Sequence, residues 1–353
     1  MSESSEKQSK VGGERGAVRR LIGLLGLLLL LVSSVGGWFA WQYKGFADSP
    51  LTLEEPLLLE VKPGVSVTGL ARELGERGLL EEPRWFTLLA RVTDQGRRIK
   101  AGEYRLEPGI TPAGLLALLV AGRSVEYSIT LVEGWSFRQV LAAIHAEERL
   151  THTLRELDAN EVMKRLGHPG EHPEGRFFPD TYHFPRGESD LSLLRRAYEK
   201  MERVLGEEWD GREEGLPLKS AYEALTLASI VEKETGQASE RAEIAGVFVR
   251  RLRKGMLLQT DPTVIYGMGE RYDGNIRRKD LKRDTPYNTY TRKGLPPTPI
   301  AMPGREAIHA ALHPADGKSL YFVAKADGSG AHHFSATLQE HNRAVRKYQL
   351  KGR

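Results

Sequence analysis

The segment SAYEALTLASIVEKET, from Ser220 to Thr235, decides how the larger part of the chain folds. At about 100° per residue its apolar side chains point in nearly every direction, so the pattern predicts a buried helix. Two carboxylates, Glu232 and Glu234, interrupt the C-terminal end of this helix, and Glu234 continues the row of Leu227 and Ile230. The sequence therefore places at least one acidic group against an apolar core.

Burial next to apolar side chains raises the pKa of a carboxyl group, because it disfavours the charged form. The negative end of the helix dipole acts in the same direction, and a raised pKa suits a general acid that works near neutral pH. Alternatively, Glu232 and Glu234 are exposed at a fraying helix end and pair with Lys233 or Arg241. Spacing alone does not choose between these interpretations, nor between the two glutamates.

Length and composition limit the classes of protein that fit this chain. Its 353 residues favour two folded units, and 40% hydrophobic with 28% charged residues is a globular composition. Much of the net charge of +4 comes from the first twenty residues, so the distribution of basic residues argues against nucleic-acid binding. The chain has no cysteine, which excludes disulfides, thiolate metal sites and a cysteine nucleophile.

An uncharged segment near the N-terminus, residues 21–40, is long enough to cross a hydrocarbon core about 30 Å thick. Basic residues precede it and aromatic residues follow it: Arg19, Arg20, Trp38, Trp41 and Tyr43. This arrangement predicts a cytoplasmic tail (1–20), a transmembrane anchor (21–43) and a polar tether (44–55), with the remainder outside the cytoplasm. A cleaved signal peptide is the alternative, but no A-x-A-like site follows directly after Val32.

Residues 56–123 have the pattern of a small α/β domain. Two strand-like stretches, Leu57–Val61 and Ala101–Leu106, enclose two helical patterns, and a third helix follows from Thr111. This βααβ-like order, with Lys62-Pro63-Gly64 before the first helix, resembles a LysM-like glycan-binding fold. A generic α/β spacer would show the same pattern.

Residues 124–353 are predicted to form a larger mixed α/β catalytic domain, which makes the whole chain α+β. The pattern predicts a strand at Tyr127–Gly134, a helix at Ser136–Ala146 and an irregular aromatic segment at Gly175–Pro185. Residues 255–304 are rich in glycine, proline and polar residues, and a long irregular segment within a folded domain is usually functional.

Several long and unusual motifs follow one another along the larger domain. They are EGRFFPDTY (Glu174–Tyr182), LASIVEKETGQASER, RLRKGMLLQTDPTVIYGMG, YNTYTRKGLPPTPIAMPG, HPA, LYFV and HHF, the last ending at Phe334. In composition and order they resemble the MltG-type (YceG-like) endolytic murein transglycosylases. The resemblance extends over nearly the whole chain, including the anchor and the small domain.

This resemblance implies a lyase that cleaves the β-1,4 bond between N-acetylmuramic acid (MurNAc) and N-acetylglucosamine (GlcNAc) within glycan strands, limiting the length of nascent strands. It implies 1,6-anhydro-MurNAc ends, no cofactor or metal, and Glu234 as the catalytic residue. Substrate-binding roles are expected for Gln259, Thr260, Asp261, Tyr287, Asn288, Thr289 and Tyr290. Asp261 is also a candidate for a second, electrostatic carboxylate, although turn capping would explain it equally well.

The location and partners follow from the same resemblance. We expect a single-pass protein of the bacterial inner membrane with its catalytic part on the periplasmic or outer side. Peptidoglycan strands are the expected substrate, and peptidoglycan synthases are possible partners.

Two other functions were compatible with the sequence. Glu306, His309 and His313 would share one face of a helix, as in a metal-dependent cell-wall hydrolase, but no H-E-x-x-H motif is present. A membrane-anchored peptidoglycan-binding scaffold would use the small domain alone and would leave the EKET helix without a role.

Overall fold

The computed structural model describes the backbone of residues 4–349 and the side chains of residues 24–349. The predicted cytoplasmic tail, residues 1–20, lies outside the residues whose side chains are described. The chain divides between Val125 and Glu126 into two compact units, two residues beyond the boundary predicted at 123/124.

The first unit begins with one long helix, α1 (Ser4–Asp48), which contains a stretch long and apolar enough to cross a membrane, Leu24–Asp48. The remaining elements are β1 (Leu57–Val61), α2 (Val67–Glu76), α3 (Pro83–Val92), β2 (Gly102–Leu106) and α4 (Pro112–Ala121). Strands β1 and β2 pair antiparallel, with Leu59 opposite Tyr104. The Ser66 and Thr111 hydroxyls cap α2 and α4 by accepting the amides of Gly69 and Gly114.

The C-terminal end of α1 belongs to the core of the first unit. Ala47 and Leu51 are buried among the side chains of that core, and the ring of Phe39 lies 4.8 Å from the ring of Trp85 on α3. The structure thus differs from the predicted tether at 44–55, because the helix continues to Asp48 and the chain after it packs against the unit. Aromatic side chains that indicate a membrane interface also serve here as packing contacts.

The second unit carries thirteen further elements in the described part of the chain. They are β3 (Glu126–Thr130), α5 (Phe137–Ala146), α6 (Ala159–Leu166), β4 (Thr181–Pro185), α7 (Asp190–Asp210), α8 (Ala221–Glu234), α9 (Arg241–Arg253), α10 (Asp261–Met268), α11 (Arg278–Lys282), α12 (Arg305–Leu312), β5 (Tyr321–Ala324), β6 (His332–Ser335) and α13 (Leu338–Tyr348). Antiparallel pairs β3–β4 and β5–β6 complete a mixed α/β fold.

Helix α8 is the central element of the second unit, and the predicted burial of this segment is confirmed. Every residue from Ala224 to Val231 is buried, and α7, α9, α10 and α12 pack around the helix. The helix begins at a Ser220 cap, whose hydroxyl accepts the amide hydrogen bond of Glu223. Even its buried polar group is paired, because the Ser229 hydroxyl accepts the amide of Ile300 at 3.0 Å.

Three local predictions in the second unit differ from the structure. The aromatic segment 175–185 is not irregular throughout, since Thr181–Pro185 forms β4 with Tyr182 and Phe184 buried and Thr181 and His183 exposed. The proline and glycine residues around the segment concealed this alternation, which is the ordinary strand pattern. The strand predicted at Tyr127–Gly134 ends at Thr130, and the loop-rich segment contains the helices α10 and α11.

Two of the sequence motifs meet at Gly175. This glycine has φ +80°, and a Cβ at its position would lie 2.6 Å from both Cβ and Cγ of Pro299. Only glycine combines a left-handed backbone with the absence of a side chain, so the contact between EGRFFPDTY and PPTPIAMPG depends on it.

We expect Gly175→Ala to lower the free energy of unfolding by roughly 2 kcal/mol or more, through backbone strain and overpacking together. Gly187→Ala is the matched control, because Gly187 has φ +85° but nothing within 4 Å of its Cβ position. Denaturant unfolding of both variants separates the two effects. Equal losses of stability in the two variants would show that contact with Pro299 contributes nothing.

Candidate active site

Glu234 is the last residue of α8 and lies at the rim of the core. Its Oε1 accepts a hydrogen bond from the Thr260 hydroxyl. Burial raises the pKa of Glu234 to about 7, the nearby Asp261 carboxylate adds to the rise, and the Thr260 hydrogen bond opposes it. The Glu234 carboxyl group can therefore hold a proton near neutral pH.

Glu232 lies on another side of the same helix and is held by structural contacts. One carboxylate oxygen accepts the amide of Gly304 at 3.0 Å, and the other lies 4.0 Å from the guanidinium of Arg241. Burial also raises the pKa of Glu232, opposed by the Gly304 amide. The surface-pairing alternative thus describes Glu232 in part, with Arg241 as its neighbour, and it does not describe Glu234.

A cavity of about 470 Å³ opens beside Glu234. Three of the residues predicted to bind substrate line it together with Glu234: Gln259, Asp261 and Tyr290. The Tyr290 hydroxyl donates a 2.5 Å hydrogen bond to Asp261, whose side chain is exposed at the first turn of α10. The predicted turn at Asp261-Pro262 is in fact this helix start, with proline at a position where its missing N–H costs nothing.

Other predicted substrate-binding residues serve the framework of the cavity. Thr289 is buried, and its hydroxyl accepts the amide of Thr260 at 3.1 Å. Asn288 is also buried, and its amide nitrogen donates to three backbone carbonyls, those of Asp280, Leu281 and Arg283. These contacts fix the loop that carries Tyr290 and fix the position of Thr260, which in turn contacts Glu234.

Sequence reasoning did not assign Arg251 or His332 to this first cavity. Arg251 is buried, donates to the carbonyls of Leu258 and Leu320, and lines the cavity. His332 on β6 also lines it, and its Nδ1 lies 2.8 Å from Glu240. Both residues stand within motifs that were recognised as wholes, so only their tertiary contacts distinguish them from the surrounding residues.

A second cavity, of about 980 Å³, is lined in part by residues that neighbour those of the first cavity in the sequence. Lys233 and Pro262 line it, whereas their sequence neighbours Glu234 and Asp261 line the first cavity. Tyr287, a predicted substrate-binding residue, lines this second cavity rather than the first.

Glu174 is the buried carboxyl group of the second cavity and was not singled out from the sequence. Its oxygens accept the amide of Phe137 at 2.9 Å and the hydroxyl of Tyr266 at 3.0 Å. Burial raises the pKa of Glu174 to about 7, and the two hydrogen bonds and Lys233 oppose the rise. The residue opens the EGRFFPDTY motif, which was the available signal.

The histidines considered as metal ligands lie on another surface of the second unit. Among the described side chains, a group whose ligand atoms lie within 4.8 Å of one another consists of Glu208, His309 and His313, and it does not include Glu306. Glu208 is already paired with the guanidinium of Arg305 at 2.8 Å, and the two histidine rings stack. These residues line neither of the two cavities.

We expect Glu234→Gln to gain stability relative to the parent as the pH rises from about 5 to 8. Between the ordinary carboxyl pKa of 4.5 and the folded value of about 7, the folded parent binds more protons than the unfolded chain, so its stability falls with rising pH. The variant lacks this loss, which amounts to at most about 3 kcal/mol. Denaturant unfolding at several pH values measures it, and a difference independent of pH would contradict the burial of the carboxyl group. Glu199→Gln, at an exposed position of α7, shows the effect of removing a surface charge.

The similarity to known proteins is not limited to the local motifs and covers most of the chain. The sequence profile described as the YceG-like family matches residues 59–347. The chain is 33% identical over 310 residues to an endolytic murein transglycosylase of Bacillus subtilis (strain 168), covering 82% of this chain and 84% of that relative. It is 26% identical over 359 residues to an endolytic murein transglycosylase of Streptococcus pneumoniae serotype 2, covering 91% of this chain and 64% of that relative.

A solved structure is similar to the described fold. The crystal structure of a YceG-like protein from Listeria monocytogenes superposes with a TM-score of 0.52 at 29% identity, covering 82% of this chain and 99% of that one. The profile match and the Bacillus relative each cover most of the chain, so the resemblance seen in the motifs is confirmed. The chain belongs to the YceG-like family.

Proposed function

We propose that this protein is an endolytic murein transglycosylase, a lyase that cleaves the MurNAc-β-1,4-GlcNAc bond within strands and leaves 1,6-anhydro-MurNAc ends. The relatives from Bacillus and Streptococcus carry the name endolytic murein transglycosylase. The observation that carries the proposal is the Glu234 carboxyl group at the end of α8, placed beside a cavity and with its pKa raised by burial to about 7. We further propose that this activity limits the length of nascent strands.

One carboxyl group can perform both proton transfers of this reaction. Protonated Glu234 gives its proton to the glycosidic oxygen as the bond from that oxygen to the MurNAc anomeric carbon breaks. The C6 hydroxyl of the same MurNAc then forms a new bond to the anomeric carbon, and its proton returns to the Glu234 carboxylate. Glu234 ends in its starting state, and the reaction consumes no water.

Charge develops on the sugar ring between these two transfers. The Asp261 carboxylate, held by the Tyr290 hydroxyl, lines the same cavity and can stabilise a positively charged ring. Thr260 keeps Glu234 oriented, and its hydrogen bond stabilises the carboxylate form that accepts the C6 proton. Gln259, with a strained φ of +52°, presents its side chain to the cavity from the residue before Thr260.

The first unit and α1 fit a role in anchoring and in binding substrate. We propose that residues 21–43 cross the bacterial inner membrane once and that the second unit acts on its periplasmic or outer side. The β1–α2–α3–β2 order supports a LysM-like glycan-binding role for the small domain. Peptidoglycan synthases are the proposed partners, because the enzyme would act on the strands that they produce.

The anchor proposal predicts that a reporter fused after Arg353 is active outside the cytoplasm. The charge bias around residues 21–40 orients the helix with its N-terminus inside. Two fusions after Arg353 measure the orientation. One carries a reporter enzyme that is active only outside the cytoplasm, and the other carries a reporter enzyme that is active only in the cytoplasm. Reporter activity in the cytoplasm would contradict it, and a mature N-terminus near Gly37 would indicate a cleaved signal peptide instead.

Glu234→Gln should fold and lose strand cleavage by about 10²–10⁴-fold or more, because glutamine keeps the volume of the side chain but cannot transfer a proton. Glu232→Gln is the matched control two residues away, and it should retain most of the activity because glutamine can still accept the Gly304 amide. Mass spectrometry of digested peptidoglycan counts anhydro-ended internal fragments for both variants at matched thermal stability. The catalytic assignment fails if Glu234→Gln remains active.

A further inference from the structure

The second cavity contains about twice the volume of the cavity beside Glu234, and the reaction steps described above leave it without a role. Residues from α5, from the end of α8 and from α10 line it. They include Arg138, Lys233, Tyr266, Tyr272 and Tyr287. Cations and tyrosine rings in a wide cleft are suited to a carbohydrate that carries carboxylates. The lining also includes Glu174 and Glu270, which are paired with Tyr266 and Arg138.

The two cavities are neighbours along two stretches of backbone. Lys233 and Glu234 are consecutive at the end of α8, and they line the second and the first cavity respectively. The same division separates Pro262 from Asp261 at the start of α10. At the end of α8 and at the start of α10, a single step along the chain therefore separates a residue that lines one cavity from a residue that lines the other.

We infer that the second cavity binds the part of the glycan strand on one side of the cleaved bond, and that its cations bind the carboxylates carried by the MurNAc units there. This inference rests on the proposed function, since an enzyme that cuts within a strand must hold substrate on both sides of the cut. It adds a binding site to that function, with Arg138, Lys233 and Tyr272 as its contact residues.

Arg138 is available for such a carboxylate. It lies on α5 and pairs with Glu270, beyond α10, at 2.9 Å, with 66% and 85% of the two side chains exposed. Exposed ion pairs of this kind contribute about 0–1 kcal/mol, so a substrate carboxylate can replace Glu270 at little cost. A bidentate guanidinium–carboxylate contact favours that exchange.

Glu174 holds the walls of the second cavity in position. It is 3% exposed and accepts hydrogen bonds from the amide of Phe137, at the start of α5, and from the Tyr266 hydroxyl on α10. Lys233, from the third wall, donates to the carbonyl of Gly134 at 3.1 Å. The three elements are thereby joined before any ligand binds, which lowers the cost of ordering the site.

The test measures binding with a full-length chain that carries Glu234→Gln, so that substrate is not cut. The ligands are purified peptidoglycan tetrasaccharides and octasaccharides, each prepared with stem peptides and without them, and calorimetry gives the affinities. We expect the octasaccharide to bind more tightly than the tetrasaccharide, and we expect Tyr272→Ala and Arg138→Ala each to weaken octasaccharide binding by about tenfold, the range of one lost aromatic or charged contact.

Arg203→Ala is the matched control, because Arg203 is 64% exposed, pairs with a glutamate on its own helix and lines neither cavity. Its affinity for the octasaccharide should equal that of the parent. A loss with Arg138→Ala on peptide-bearing strands alone assigns the bound carboxylate to the stem peptide. A loss on stripped strands as well assigns it to the lactyl group of the sugar.

Unchanged octasaccharide affinity in both Tyr272→Ala and Arg138→Ala, with thermal melting equal to the parent, would overturn the inference. The binding measurement uses the Glu234→Gln chain, which lacks the proposed catalytic acid. Its result therefore does not depend on whether the protein cleaves the strand. Failure of the proposed function would appear separately: the parent protein, with Glu234 intact, would release no anhydro-ended fragments from peptidoglycan.

Discussion

For its proposed role as the acid, Glu234 has to lie deep enough in the protein to keep its proton near neutral pH and still reach a substrate. Helix α8 satisfies both conditions, because it is buried along most of its length and ends at the rim of a cavity. The apolar residues from Ala224 to Val231 fix the helix within the core. The position of the carboxyl group is thus determined by the same burial that stabilises the fold, and it cannot shift without disturbing the core.

The segments around α8 control how far the pKa of Glu234 rises. Thr260 donates to the carboxylate, and Thr260 is itself held by Thr289, whose hydroxyl also contacts the hydroxyl of Thr263 at 2.9 Å. The Thr260 hydrogen bond moderates the effect of desolvation on the pKa of Glu234, and the other two threonines hold Thr260 in position. A single acid that must both give and accept a proton benefits from a pKa between the two extremes.

The sequence predicts those parts of the fold that follow from local pattern. The α8 segment is apolar nearly all round and is buried, and the third helix of the small domain begins after Thr111 as its pattern predicts. Strand β4 was missed because prolines flank a short alternating segment, and its pairing with β3 comes from residues 51 positions away in sequence, Thr130 and Thr181. Such pairing is a tertiary property that no local pattern contains.

Tertiary contacts distinguish the residues of the candidate site from one another, and these contacts are not visible in the sequence. Helical spacing left Glu232 and Glu234 equivalent, whereas the Gly304 amide engages the first and a cavity opens beside the second. Asn288 and Thr289 belong to the same polar run as Tyr290, yet both are buried and hydrogen bonded within the framework. The composition of that loop predicts binding roles for the whole run, but only the fold shows that Tyr290 lines the cavity whereas Asn288 and Thr289 are buried.

The comparison of Glu174 with Glu234 shows why a raised pKa alone does not identify a catalytic acid. Burial raises the pKa of each of the two carboxyl groups to about 7. In Glu174, however, each oxygen accepts a hydrogen bond from a different wall of the second cavity, so both oxygens are already engaged within the protein. Glu234 receives its hydrogen bond on one oxygen, which leaves the other for a substrate. In the proposed mechanism the two carboxyl groups would therefore have different tasks, Glu174 holding the walls of the second cavity and Glu234 transferring the proton.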